Sequence, residues 1–251
     1  MTAQPSLYEK QVLIHAFECD FNQTWKPSAF FQHLTEIAGE HAEQLGFGFE
    51  SMLAQHYFWI LSRLKIQFHA YPKHGETVLV RTWPKTIQQK LFFIRDFEVL
   101  RLSGEKLAGA SSAWLVIDSQ NRRMIPSTRL TFELPTLPDR NALDEPLEKI
   151  VLSEQTEERL QVKASYSDVD ILGHVNNGRY VEWISNSFDF ETYRRQRPAS
   201  IQVNYDHEVR PSEHVSIRSA ACNTNPHCQL LEGVNLDSGA RAFEAQVEWL
   251  I

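Results

Sequence analysis

The stretch Tyr166-Ser-Asp-Val-Asp-Ile-Leu-Gly-His-Val-Asn-Asn-Gly-Arg-Tyr180 is where this sequence concentrates chemistry. It packs Asp168, Asp170, His174, Asn176 and Asn177 into a short loop ahead of a helical pattern. A helix N-terminus presents unpaired backbone N–H groups and a partial positive charge. Such an end, with a neighbouring imidazole, suits stabilisation of the oxyanion that forms when a carbonyl is attacked. A carboxylate such as Asp170 is suited to fix the tautomer and orientation of His174. Gly173 lets the backbone turn tightly between them. Asp and Asn are also ordinary turn and cap residues, so Asn176 or Asn177 is equally suited to capping the helix.

The elements that must position this loop follow from periodicity. Val181, Ile184 and Phe188 share one face of a helical segment predicted over 177–188. Arg159–Ser165 before the loop reads as a strand. After the helix, Ser200–Tyr205, His214–Cys222, His227–Leu236 and Ala240–Leu250 read as four more. In the last, Phe243, Ala245, Val247 and Trp249 alternate with Glu244, Gln246 and Glu248, which is the two-residue period of a strand.

The first half has the same order. A strand is predicted over Tyr8–Cys19. A helix then starts near Pro27 and carries Phe30, Leu34, Ile37, Ala38, His41 and Leu45 before Gly46. Four strands follow over Tyr57–Gln67, Thr77–Trp83, Leu91–Leu102 and Lys106–Ile117. Gly75-Glu-Thr-Val-Leu-Val-Arg81 is similar to Ser212-Glu-His-Val-Ser-Ile-Arg218, and Trp114-Leu115 to Trp249-Leu250. A repeat this long is a duplicated domain. The expected division is residues 1–118, a Pro-rich linker over 119–156, and residues 157–251. In each half an antiparallel sheet is expected to curl around the apolar face of one helix, an α+β arrangement. The first-half counterpart of the reactive loop, Asp20-Phe-Asn-Gln-Thr-Trp25, holds no His before Pro27, so one catalytic centre per chain is expected.

Composition narrows the partners. A formal net charge of −7 over 251 residues argues against non-specific nucleic-acid binding. No apolar run is long enough to span a bilayer, and Met1–Gln11 does not read as a signal peptide. Cys19, Cys222 and Cys228 lie in unrelated sequence contexts and read as thiols of a reducing compartment, with the cytoplasm as default location. Dinucleotide, Walker A, His-Glu-x-x-His and Gly-x-Ser-x-Gly motifs are absent, so no metal, cofactor or serine elbow is expected.

The combined pattern resembles a known family. Asp-x-Asp-x-x-Gly-His-Val-Asn-Asn followed by Arg-Tyr-Val-Glu-Trp is similar to the second-half motif of plant and bacterial acyl-acyl-carrier-protein thioesterases. Trp59-Ile-Leu-Ser-Arg-Leu-Lys-Ile, Tyr71-Pro72, Gly75-Glu76, Arg81-Thr82-Trp83, Ala113-Trp114 and Arg122-Arg123 continue the likeness over nearly the whole chain. The resemblance implies two fused hotdog folds, each a long central helix wrapped by an antiparallel sheet. It implies hydrolysis of fatty acyl thioesters of acyl carrier protein to free fatty acid, ending fatty acid synthesis. By position it makes Asp170 and His174 the catalytic Asp and His, and Glu208 in Tyr205-Asp-His-Glu-Val the catalytic acid residue.

Two departures stand out. Val209 occupies the place where the family often has a cysteine after the Glu, so a cysteine mechanism is closed there. Leu172 stands where many members have Asn. Trp59, Phe30, Phe31, Phe47 and Phe49 are candidates to line an acyl pocket in the first half. Arg122 and Arg123, with Arg194, Arg195 and Arg197, are candidates to meet an acidic carrier protein against the repulsion of the net charge. Competing readings are an acyl-coenzyme A thioesterase of the hotdog superfamily and a non-catalytic acyl-binding or sensing hotdog protein. A fused pair fits either a monomer or a homodimer of chains.

Overall fold

The computed structural model describes residues 6–130, 132–152, 156–222 and 225–250. Parts of three expected segments fall outside these residues: 1–5 of the first half, 131 and 153–155 of the linker, and 223–224 and 251 of the second half. The first five residues of the segment read as no signal peptide are among them.

The chain forms two compact units. One comprises Met1–Trp25, Gln32–Leu64 and His69–Leu147; the other comprises Lys26–Phe31, Lys65–Phe68 and Glu148–Ile251. In the first half, strand β1 (Tyr8–Leu13) is followed by helix α1 (Pro27–Gln44) and a short helix α2 (Phe49–Leu53). Strands β2 (Tyr57–Phe68), β3 (Thr77–Gln88), β4 (Phe92–Arg101) and β5 (Lys106–Asp118) complete it, in the sheet order β1-β3-β4-β5-β2. In the second half, β6 (Glu157–Lys163), α3 (Asn177–Asn186), α4 (Phe190–Arg195), β7 (Pro198–Tyr205), β8 (His214–Ala221), β9 (Cys228–Asn235) and β10 (Arg241–Trp249) follow the same plan, in the order β7-β10-β9-β8-β6.

The core explains the periodicity. Phe30, Phe31, Leu34, Ile37 and Ala38 of α1 are buried, as are Phe243, Ala245, Val247 and Trp249 along β10. His41, on the same apolar stripe of α1, is fully buried too. Its Nδ1 lies 2.9 Å from the Arg95 guanidinium, which also donates to the Thr82 hydroxyl at 3.2 Å. Burial of Arg95 lowers its pKa to about 9, because the charged form loses hydration. The polar side of β10 is covered as well. Glu244 is buried, paired with Arg241 at 2.8 Å and accepting from the Asn204 amide at 3.2 Å.

Several boundaries differ from expectation. The first strand ends at Leu13 instead of Cys19, because His15 and Glu18 form a reciprocal capping box around a 3-10 turn over Ala16–Glu18. The second-half helix stops at Asn186, and Asp189 then caps the separate helix α4 through the Thr192 amide. The linker is no loose tether. Ala142, Leu143 and Ile150 are buried. The Ala142 amide donates to Asp96 at 2.9 Å, Lys106 donates to the Ala142 carbonyl at 2.7 Å, and Arg140 lies 4.4 Å over the Trp83 ring. Cys222 and Cys228, read as unrelated, are cross-strand neighbours: the Cys222 amide donates to the Cys228 carbonyl at 3.3 Å.

Packing is tight where β9 meets β10. A Cβ placed on Gly233 would lie 2.1 Å from the Phe243 ring. Gly233→Ala is therefore expected to destabilise the protein by about 1–3 kcal/mol through overpacking. A lowered denaturation midpoint measures it, and an unchanged midpoint contradicts this packing.

Candidate active site

The loop between β6 and α3 is built by its own backbone. The Asp170 amide donates to the His174 carbonyl at 2.9 Å, and the Gly173 amide to the Asp170 carbonyl at 3.0 Å. Gly173 turns through a positive φ of 79°, a conformation glycine adopts without steric cost. A second tie reaches the segment after β7, where the Val175 amide donates to the Val209 carbonyl at 3.0 Å. That bond brings Glu208 to His174, with 3.2 Å between His174 Nε2 and Glu208 Oε2. Both side chains are partly open to solvent.

The carboxylate at the imidazole is thus Glu208. Asp170 uses Oδ1 to accept the Leu172 amide at 2.9 Å, so it shapes the loop and does not hydrogen-bond the His174 ring as expected. The Leu172 side chain points away into solvent, beside the still more exposed Ile171 and Tyr166.

Asn176 and Asn177 divide their duties. Asn176 is the N-cap of α3, its side chain accepting from the Gly178 amide at 2.9 Å. Asn177 begins the helix, and its carbonyl accepts from the Tyr205 hydroxyl at 3.1 Å. Its side chain is half-buried. Tyr180 was missed as a site residue although it lies within the motif. Its buried hydroxyl accepts the Val209 amide at 3.2 Å, clamping the residue next to Glu208. Burial, with the Glu208 and Asp170 charges nearby, raises the Tyr180 pKa far above the usual phenol range, so the hydroxyl stays neutral. A buried tyrosine needs a partner for its hydroxyl, which was the signal available in the sequence.

The first half carries the same loop without the imidazole. The Asp20 amide donates to the Thr24 carbonyl at 2.9 Å, the Asn22 amide to Asp20 Oδ1 at 2.9 Å, and the Trp25 amide to the Pro72 carbonyl at 3.0 Å. Gln23 takes the positive φ. Superposing these bonds on the second loop puts Asp20 at the place of Asp170, Asn22 at Leu172, Thr24 at His174, and Tyr71 at Glu208. The backbone is kept, while the imidazole and the carboxylate are replaced.

The other candidates separate. Trp59 and Phe47 come together: Trp59 donates to the Phe47 carbonyl at 2.9 Å and meets Phe93 edge-on at 5.0 Å, while Phe47 stacks on Phe132 at 4.8 Å. Phe93 and Phe132 also line a cavity of about 410 Å³ with Ile87, Leu130 and Leu134. Phe30 and Phe31 are buried in the other unit, Phe30 packing on Phe68, and Phe49 is exposed. Arg122 lies over the Phe58 ring and Arg123 is exposed; Arg194 pairs with Glu191 and Arg195 is exposed on the last turn of α4. The two arginine pairs belong to different units.

A helix-and-sheet unit present twice, with the His174–Glu208 pair at the loop of the second copy, is the architecture of an α+β tandem hotdog protein. Comparison with known proteins makes the assignment specific. The acyl-ACP thioesterase N-terminal domain model matches residues 5–129 and the C-terminal domain model residues 151–250, so the chain belongs to the acyl-ACP thioesterase family. It is 24% identical to an oleoyl-acyl carrier protein thioesterase of Coriandrum sativum, over 95% of this chain and 69% of that protein. It is 26% identical to a palmitoyl-acyl carrier protein thioesterase of Arabidopsis thaliana, over 97% and 64%. The chain thus spans about two thirds of the length of these chloroplast relatives. Among solved structures, an acyl-ACP thioesterase from Bacteroides thetaiotaomicron superposes with a TM-score of 0.88 at 27% identity, covering all of both chains. The 12:0-ACP thioesterase of Umbellularia californica has the same fold, with a TM-score of 0.78 at 19% identity over 100% and 99%.

Two substitutions separate scaffold from chemistry here. Asn176→Ala is expected to cost about 1 kcal/mol by removing the helix cap, whereas Asn176→Asp keeps it; equal urea midpoints for the two variants would contradict the capping role. Tyr180→Phe leaves the buried Val209 amide without its acceptor, at a cost of about 1–3 kcal/mol. A urea titration reads the loss, and wild-type stability would show that the amide finds another partner.

Proposed function

We propose that this protein hydrolyses fatty acyl thioesters of acyl carrier protein, releasing free fatty acid and the carrier thiol. The observation that carries the reading is the His174–Glu208 pair at 3.2 Å, set beside the N-terminus of α3. Glu208 and His174 act as one acid–base unit and take a proton from a water molecule. The water oxygen attacks the thioester carbonyl carbon. The oxyanion is met by Asn177 and the amide end of α3. The tetrahedral intermediate collapses by breaking the C–S bond. A thiolate leaves readily, so proton return from the pair is a lesser demand than holding the oxyanion. No covalent acyl-enzyme is needed, which agrees with Val209 where a cysteine would stand.

In this reading residues 1–118 form the acyl-holding half, 119–156 the linker and 157–251 the catalytic half. The first half offers apolar side chains beside Trp59 and Phe47, around Phe93 and Phe132, in a pocket whose lining also includes Thr86, Ser127, Thr128, Glu133 and Thr136. The solvent-facing Tyr166, Ile171 and Leu172 favour a protein-borne substrate, since large apolar side chains exposed around a site mark contact surfaces. Arg122, Arg123, Arg194 and Arg195 supply positive charge for an acidic carrier. No helix among the described residues is long and apolar enough to cross a membrane. The cytoplasm, where free thiols persist, is the proposed location.

Fatty acid release from a chain-length series of acyl carrier protein substrates, beside matched acyl-coenzyme A, tests the function. Glu208→Gln and His174→Ala are each expected to lower turnover by about 10²–10⁴-fold while staying folded. Asp170→Asn, which keeps an acceptor for the Leu172 amide, is expected to lose far less. Near-wild-type turnover in Glu208→Gln would remove Glu208 from the mechanism. Coenzyme A thioesters cleaved as well as carrier-bound ones would remove the carrier preference.

A further inference from the structure

The second sheet holds a feature outside the catalytic site. β8 and β9 pair in register from Val215↔Asn235 to Ala221↔Gln229, and the next rung outward is Cys222 opposite Cys228. The rung is real, since the Cys222 amide donates to the Cys228 carbonyl at 3.3 Å. The Cys228 amide turns to the Asn225 carbonyl at 3.1 Å, so the rung is held by one bond; opposed antiparallel residues have Cα atoms about 4.5–5.5 Å apart, within the span that a disulfide bridges. Directly opposed residues also project to the same face of the sheet. Cys222 lies near enough to the Cys228 thiol to raise its pKa, second only to burial. Cys228 is buried and Cys222 half-buried, so Cys222 is the more exposed residue of the pair.

We propose that Cys222 and Cys228 form a reversible intramolecular disulfide, a redox-closed staple across the end of the β8–β9 hairpin. The oxidant is a small-molecule disulfide. The Cys222 thiolate attacks one of its sulfurs and expels one small thiolate, leaving a mixed disulfide on Cys222. The Cys228 thiolate then attacks the Cys222 sulfur, forms the Cys222–Cys228 bond and expels the second small thiolate. Two protein thiols are oxidised, and the two protons they give up pass to the expelled thiolates, so the small disulfide is reduced to two thiols. Burial and the neighbouring Cys222 push the Cys228 thiol up to about 12, which leaves Cys222 as the first attacking sulfur and Cys228 as the second.

The staple is separate from catalysis. β8 has eight residues, so its Cys222 end lies roughly 26 Å along the strand from the end that joins the catalytic loop. The Ala164 amide makes that junction by donating to the Glu213 carbonyl at 2.9 Å. Cys19, in the other unit, takes no part.

The test equilibrates the full-length protein with reduced and oxidised glutathione over a series of ratios, quenches by alkylation, and measures intact mass and linked peptides. The expected result is a loss of 2 Da that dithiothreitol reverses, with a peptide linking Cys222 to Cys228. Closure should raise the thermal midpoint by about 5 °C. Cys19→Ser should behave as wild type, and Cys222→Ser should show no loss of 2 Da. Persistent alkylation of both cysteines at the most oxidising ratio would overturn the proposal. So would a stable glutathione adduct on Cys222, or a disulfide between two chains. These readouts do not depend on thioesterase activity.

Discussion

One backbone hydrogen bond holds the site together: the Val175 amide to the Val209 carbonyl. Val175 ends the loop that carries His174, and Val209 follows Glu208 directly. Neither side chain fixes its own position well, because both are partly solvent-exposed and an exposed ion pair contributes little by itself. The bond fixes where the two chain segments meet, and Tyr180 adds a second tie to the Val209 amide. Val209 is therefore held at both its polar groups, and the neighbouring carboxylate has little freedom to leave the imidazole.

The duplicated architecture makes the contrast between the halves informative. The two loops share one backbone, since the first-half loop has the same bonds around Asp20 and Gln23 that the second has around Asp170 and Gly173. What differs is the side chains presented: Thr24 for the imidazole, Tyr71 for the carboxylate. In the first half the Thr24 hydroxyl and amide both bond Asp20, at 3.0 and 3.1 Å, so the loop is closed upon itself. In the second, His174 reaches across to the next segment instead. Asp170 belongs to the shared scaffold, which explains why it braces the loop and leaves the ring to Glu208.

The segment joining the halves contributes more than reach. Backbone groups of Ala142 and Glu148 accept or donate hydrogen bonds to Lys106, Asp96 and Gln202, polar side chains that point to the outer faces of their sheets. A buried polar group without a partner is costly, so a strap that supplies backbone partners lets these positions remain polar. The same segment brings Leu130, Phe132 and Leu134 onto the cluster of Phe47, Met52 and Phe93. The cavity next to Phe93 is thereby bounded partly by residues that lie outside the hotdog pattern.

Much of this was legible without coordinates. The apolar stripe of α1, the alternation along β10, the repeated element order and the Asp–His–Asn loop all follow from side-chain type and local period, which the chain carries residue by residue. His174 and Glu208, which meet at 3.2 Å, were both named from the sequence, as was the lack of a His in the first-half loop. Tertiary structure decided the rest. Which carboxylate meets the imidazole depends on a tie between segments 34 residues apart in sequence, and no local pattern encodes that pairing. Asp170 looked like the partner because it is near in sequence, yet a tight turn turns its carboxylate back onto the Leu172 amide. Glu244 lies on the polar side of its strand but is buried, since a neighbouring strand supplies Asn204 and the residue three before it supplies Arg241. Cys222 and Cys228 read as unrelated for the same reason: strand register makes them opposite neighbours, and register is set by the fold of the whole sheet.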